Sequence, residues 1–294
     1  TASLSPSEVE QLFEIMAQLR ASGRALIFVS HRLEEVFAIT DRISVMREGA
    51  TVAKSLETSE LSQADLVRHM VGRELGAIYQ APAPALADVQ RDEVLSVTSL
   101  SAPPAVRDVS FALRRGEILG LGGLVGAGRS ETAEALFGLR PIHSGAIRLH
   151  GKPFRPRRPR DCVRAGIGFV AEDRRVQGIV PDLSVRENLL LAHLGARSKF
   201  FLGYRRCRHK VDELLKLLDM PAHRLLDANM LNFSGGMQQK IIIARWLMLD
   251  PTVLILDEPT KGVDIGTRSS IYEMLRQISQ QGVSVVMISS DFEE

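Results

Sequence analysis

Apolar positions recur along this chain at two spacings, and each spacing marks a set of elements. Val9, Leu12, Phe13, Met16 and Leu19 follow helical spacing behind Pro6, which predicts a helix over residues 7–20. The apolar run after it predicts a buried strand over 25–30, a helical stretch over 32–37, and strands at 43–46 and 51–53 around a Glu48-Gly49 turn. Further on, short apolar runs at 94–97, 109–113, 118–121, 167–170, 253–256 and 283–288 read as strands separated by helices and turns. Strands alternating with helices imply an α/β fold with a mostly parallel sheet covered on both faces. The longest apolar runs, such as Val253-Leu-Ile-Leu256 and Val285-Val-Met-Ile288, have the length of buried strands. None approaches the ~18 to 20 residues needed to span a bilayer.

The chain also repeats itself. Gly23-Arg-Ala-Leu-Ile-Phe-Val-Ser-His-Arg-Leu-Glu-Glu35 aligns without a gap on Gly282-Val-Ser-Val-Val-Met-Ile-Ser-Ser-Asp-Phe-Glu-Glu294, and the same offset sets Thr1 on Thr260, Glu14 on Glu273 and Gln18 on Gln277. Residues 1–35 therefore repeat 260–294 through helix, loop and strand in one register. On that basis residues 1–77 are expected to form the C-terminal part of a first domain and 94–294 most of a second. Residues 78–93, with the stretch Gln80-Ala-Pro-Ala-Pro-Ala-Leu86, read as a semi-rigid linker. With no initiating Met and no leader pattern, the chain is expected to start in mid-protein and to be cut inside the second domain.

Composition narrows the function classes. A net charge of +2 over 294 residues argues against a strongly basic nucleic-acid surface. The basic run Lys152-Pro-Phe-Arg-Pro-Arg-Arg-Pro-Arg160, broken by three prolines, reads as a solvated loop. Cys162 and Cys207 have no metal-ligand spacing, so neither a zinc site nor a disulfide scaffold is expected, and a reducing compartment fits.

Three motifs carry chemistry. Gly123-Leu-Val-Gly-Ala-Gly-Arg-Ser130 follows the strand at 118–121 and leads into a helix. Gly123, Gly126, Ala127 and Gly128 let backbone N–H groups converge on phosphate oxygens, with Ser130 placed as a Mg²⁺ ligand. Arg129 stands where this P-loop pattern has lysine, and its longer planar guanidinium would hold a γ-phosphate differently. Asp257 and Glu258 end the strand at 253–256, Asp257 to hold Mg²⁺ through water and Glu258 to orient or deprotonate an attacking water. Phe233-Ser234-Gly235-Gly236-Met237 opens an apolar helix over 235–249, with Ser234 as a serine cap.

With these in order, the chain resembles the ATP-binding-cassette family, whose signature loop reads L-S-G-G-Q. The resemblance implies a P-loop fold of that type, with an antiparallel β part and a helical subdomain beside the parallel sheet, and ATP and Mg²⁺ as ligands. Together with Glu172-Asp-Arg-Arg-Val-Gln-Gly178 and Asp257-Glu-Pro-Thr-Lys-Gly-Val-Asp264, the motifs look like the fused two-cassette ATPases of bacterial importers for monosaccharides of the ribose, galactose, xylose and arabinose type. Fused ATPases for nucleosides or signalling furanones are similar as well.

The resemblance implies that Ser234, Gly235, Gly236 and Met237 face ATP bound to the opposite cassette. It places Gly262, Val263 and Asp264 in one D-loop and Ser3, Leu4 and Ser5 in the other. At the second domain's own site, Arg129, Glu172 for the Q-loop glutamine, and Ser290 for the switch histidine predict binding with little turnover. The other site would use His31 with the Ser234–Gly236 signature. The implied partners are membrane-spanning permease subunits, which would dock near the capped amphipathic helix at 182–191, and indirectly a periplasmic or extracellular sugar-binding protein. The implied place is peripheral, on the cytoplasmic face of the bacterial inner membrane. Two other classes stay open. A ribosome-associated tandem ATPase would carry a long charged linker rather than a Pro/Ala one, and a nucleotide-responsive binding module would show no turnover.

Overall fold

The computed structural model describes residues 6–30, 32–47, 50–71, 92–124, 126–196, 204–218, 220 and 226–290. The chain forms two compact units, residues 1–87 with 264–269 and residues 88–263 with 270–294. Among the described residues, no helix is long and apolar enough to cross a membrane.

The smaller unit contains α1 (Pro6–Ala21), α2 (Leu33–Ile39), the antiparallel pair β1 (Arg42–Arg47) and β2 (Ala50–Glu57), and α3 (Gln63–Val71). Val36, Ile43, Val45 and Leu66 make its small core. The strand expected at 25–30 does not form. That segment has no regular structure, and Leu26, Ile27 and Val29 are 42%, 96% and 89% exposed. A strand needs a hydrogen-bonded neighbour, and among the described residues β1 and β2 pair only with each other. Only Phe28 of the run reaches the core. The Glu48-Gly49 turn lies outside the described residues.

In the larger unit β5 (Ile118–Gly122), β8 (Ile167–Val170), β9 (Val253–Asp257) and β10 (Ser284–Ser289) form a parallel sheet in the order β5-β10-β9-β8. A second, antiparallel sheet joins β3 (Glu93–Ala102), β4 (Val106–Arg114), β6 (Ser144–Leu149) and β7 (Lys152–Phe154) in the order β4-β3-β6-β7. Every residue of β9 is buried, and its side chains divide by parity. Val253 and Ile255 join a core with β3, β4 and α4 (Arg129–Leu136), while Leu254 and Leu256 join one with α6 (Val185–Ala196), α7 (Tyr204–Leu217), α8 (Gly235–Leu247) and α9 (Ile265–Gln280). An apolar run without alternation is thus a strand covered on both faces, each buried side chain contributing roughly 1.5–3 kcal/mol.

The basic run at 152–160 is not a loop throughout. Its first residues form β7, and Pro159 opens α5 (Pro159–Arg164), where a missing N–H and a fixed φ suit a first helical turn. The helix expected at 182–191 appears as α6, entered by a capping box. Ser184 N–H donates to Glu187 Oε2 at 2.8 Å, and Glu187 N–H donates to Ser184 Oγ at 3.3 Å.

Candidate functional site

The C-terminal ends of β5, β10 and β9 hold most of the motif residues. After β5 the chain turns through Gly126 and Gly128, at φ 85° and 86°, and enters α4. A Cβ on Gly128 would stand 2.5 Å from the Ala105 carbonyl oxygen, so the loop lies closely against the β3–β4 turn. Ala127 N–H donates to Leu124 O at 3.1 Å. The Arg129 side chain folds back over the loop's start, its Cδ 3.3 Å from where a Cβ on Gly123 would be. There Nη1 lies 3.4 Å from Glu258 Oε1, with the side chains 12% and 9% exposed.

β9 delivers the acidic pair. Glu258 takes φ 48°, and its N–H donates to Ile288 O of β10 at 2.9 Å. Asp257 is 2% exposed. Burial pushes its carboxyl up to about 6, the nearby Glu172 and Glu258 charges add to the rise, and a hydrogen bond from Ser130 and the Arg129 charge oppose it. Its Oδ1 is buried without a hydrogen-bond partner among the described residues. A hydroxyl and a buried carboxylate oxygen with a free lone pair are the hard oxygen donors that a divalent cation of the Mg²⁺ kind takes.

Beyond Glu258 the chain meets the loop that follows β8. Lys261 Nζ donates to Glu172 Oε1 at 2.6 Å, and that carboxylate holds the lysine pKa above its ordinary value. Arg174 donates from Nη1 to Lys261 O at 2.7 Å and from Nη2 to Gly262 O at 3.4 Å. Val263 is buried, and Asp264 accepts from Thr267 N–H at 2.9 Å and Thr267 Oγ1 at 2.7 Å.

Ser234 caps α8, its Oγ accepting from Met237 N–H at 3.3 Å. Gly235 packs under Arg174, and Gly236 is buried. At the other end of the helix, buried Arg245 donates to Asn188 O at 2.6 Å, Gly178 O at 2.5 Å and Asn188 Oδ1 at 3.0 Å. Lacking a carboxylate among these acceptors, its guanidinium is pushed down to about 10 by burial.

Arg129, Ser130, Glu172, Asp257 and Glu258 therefore come together, and the Ser234–Gly236 turn is reached from them through Arg174. Ser290 is exposed directly after β10, whose Ser289 pairs with Gly122. His31, Ser3, Leu4 and Ser5 lie outside the described residues. Sequence reasoning passed over Arg174, Arg245 and Lys261. A signal for Arg245 was present, since it is the one charge inside the apolar run Ile241-Ile-Ile-Ala-Arg-Trp-Leu247.

A family model described as ABC transporter matches residues 106–261, from β4 to the turn after β9. The chain belongs to the ABC transporter family. Among its relatives, a ribose import ATP-binding protein of Rubrobacter xylanophilus is 42% identical over 292 residues, covering 99% of this chain and 57% of the relative. Ribose import ATP-binding proteins of Rhodococcus jostii and Bacillus subtilis are 43% and 40% identical over 100% of this chain and 58% and 59% of their own lengths. This ABC transporter chain thus spans less than two thirds of the relatives it matches. A nucleotide-free ATP-binding cassette superposes with TM-score 0.60 at 20% identity, over 68% of this chain and 83% of that one. A Clostridium perfringens protein described as part of an ABC transporter complex gives TM-score 0.58 at 26% identity, over 68% of this chain and 79% of that one. The expected fold, a parallel sheet with an antiparallel β part and a helical region, is that of the ABC transporter cassettes.

Proposed function

We propose that this chain is part of the ATP-binding, energy-coupling subunit of an ABC importer for a simple sugar, built from two cassettes in one polypeptide. In this reading residues 1–77 close a first cassette, 78–93 link, and 94–294 form a second whose own nucleotide site binds but turns over slowly. The names of the three relatives given above, ribose import ATP-binding proteins, support the substrate class.

The loop amides and the α4 N-terminus cradle the phosphates of ATP. Ser130 and Asp257 are the residues that would hold Mg²⁺, which when bound neutralises charge on the phosphates. Glu258 is placed to act on a water, but the observation that carries the degenerate reading is its ion pair with Arg129 at 3.4 Å. A guanidinium on this carboxylate occupies the group that would act on the water, and the Glu172 carboxylate stands where the family has a neutral glutamine. The second, competent site would join the Ser234–Gly236 signature and Met237 to an upstream P-loop, with His31 and Ser3–Leu4–Ser5 in trans. Closure of the cassettes on ATP would move permease subunits docked at α6, and a sugar-binding protein would deliver the solute. The subunit would sit peripherally on the cytoplasmic face of the inner membrane.

The test is ATP binding and hydrolysis by this chain with Mg²⁺, beside Arg129→Lys and Glu258→Gln versions. Binding with negligible turnover is expected, and Arg129→Lys should raise turnover by freeing Glu258. Steady wild-type turnover abolished by Glu258→Gln would overturn the degenerate-site reading. Co-purification with permease subunits tests the transport reading.

A further inference from the structure

Arg174 stands where three functional segments meet. It begins a π-helical turn, Arg174–Gly178, whose backbone is fixed by Asp173 Oδ1 accepting from Arg175 N–H at 2.9 Å and Val176 N–H at 3.1 Å. With that backbone anchored, the side chain crosses to the turn after β9 and forks onto the Lys261 and Gly262 carbonyls. The same Nη2 lies against the start of α8, 2.5 Å from where a Cβ on Gly235 would be. A side chain at that position would push the guanidinium out of this place. Glu172, two residues earlier, grips the Lys261 side chain, so one loop holds the turn at two points.

Helix stability does not explain this placement. A cation at a helix N-terminus opposes the helix dipole, and desolvation lowers the Arg174 pKa. The arrangement makes sense if the fork sets geometry for a ligand that later supplies negative charge.

We infer that Arg174 is a positioning residue that locks the Ser234–Gly236 turn and the Lys261-Gly262 turn into one wall of the nucleotide site shared between cassettes. The inference rests on the two-cassette reading given above. Arg174 acts through the backbone it holds, and its charge, next to the exposed Ser234 cap, strengthens that turn's attraction for a phosphate. A lysine would keep the charge but offer one point-like donor centre in place of the two-nitrogen planar fork that meets the two carbonyls.

The experiment uses the two-cassette polypeptide with its permease subunits and compares Arg174→Met, Arg174→Lys and Ser234→Ala for ATP turnover, KM and melting temperature. Expected for Arg174→Met is a kcat about tenfold lower or more, with KM changed less and melting temperature within a few degrees, as for a misplaced wall. Arg174→Lys should fall between it and wild type, and decides the matter if Arg174→Met does not fold. Wild-type kcat in both Arg174 variants overturns the inference, as does a loss of kcat that only tracks a falling melting temperature. Ser234→Ala separates the causes of failure. If it is impaired while the Arg174 variants are not, the shared site stands without Arg174. If it too turns over normally, the shared-site reading itself has failed.

Discussion

Asp257 is held as a carboxylate in surroundings that oppose its charge, and that opposition has a measurable size. Burial first, and then Glu172 and Glu258, push its pKa from 3.8 to about 6. At about 1.4 kcal/mol per unit, the ionised folded state is disfavoured by about 3 kcal/mol above pH 6. The sign follows from proton counting. Between 3.8 and about 6 the folded chain keeps a proton that the unfolded chain has lost, so stability falls as pH rises through that window. Asp257→Asn removes the charge, while exchanging a carboxylate oxygen for an amide NH2 in this buried place costs about 1–2 kcal/mol. The variant should therefore be about 1–2 kcal/mol more stable than wild type at pH 7, an advantage that shrinks by about 2 kcal/mol at pH 4.5. Urea unfolding followed by tryptophan fluorescence reads this cleanly, because Trp246 is the single tryptophan and packs edge-on against Phe137 at 5.5 Å within the larger unit. Adding Mg²⁺ and ATP should stabilise wild type more than the variant. A variant less stable than wild type by the same amount at both pH values would refute the reasoning, because the carboxylate would then be well solvated or partnered.

Three further outcomes are expected. Arg245→Met should lower stability by about 3 kcal/mol or more, since it strips donors from Gly178 O, Asn188 O and Asn188 Oδ1, and the Trp246 unfolding transition measures it. Gly128→Ala should cost more than Gly126→Ala in the same assay. Both share the left-handed penalty of about 1–2 kcal/mol, but only Gly128 has a carbonyl in the way, whereas Gly126 faces open space. Cys162, with its thiol pushed from 9.0 up to about 12 by burial and then by Asp161, should resist iodoacetamide at pH 8 until the chain is unfolded. Its contribution to stability is intact below 9.0 and is lost as pH rises through about 12, which mass spectrometry and alkaline unfolding check together.

The motifs were legible because each pairs a local geometry with a residue type that serves it. Glycines at Gly126 and Gly128 mark left-handed turns, Ser234 marks a cap, and the apolar run into Asp257 marks a strand buried on both faces. The strand expected at 25–30 carries the same local signal and failed, because strand formation is settled by a neighbour that local pattern does not contain. The antiparallel strand Ser144–Leu149 escaped notice for a related reason, with only Ile147 and Leu149 buried in it. Arg174 was invisible in another way. Arginine reads as a surface residue by type, and its acceptors here are backbone carbonyls far off in sequence.

The aromatic contact at Trp246 gives α8 the mechanics of a lever. Trp246 packs into both cores of the larger unit, and neighbouring Arg245 is tied to Asn188 of α6, so the helix is pinned near its C-terminal end. Ser234 lies at the opposite end, about 18 Å away at about 1.5 Å of rise per residue. A tilt of about 10° about that fulcrum would swing Ser234 through about 3 Å, as large as the whole donor–acceptor distance of a hydrogen bond. A push on α6, applied beside the pivot, would move the serine farther than it moves the pivot.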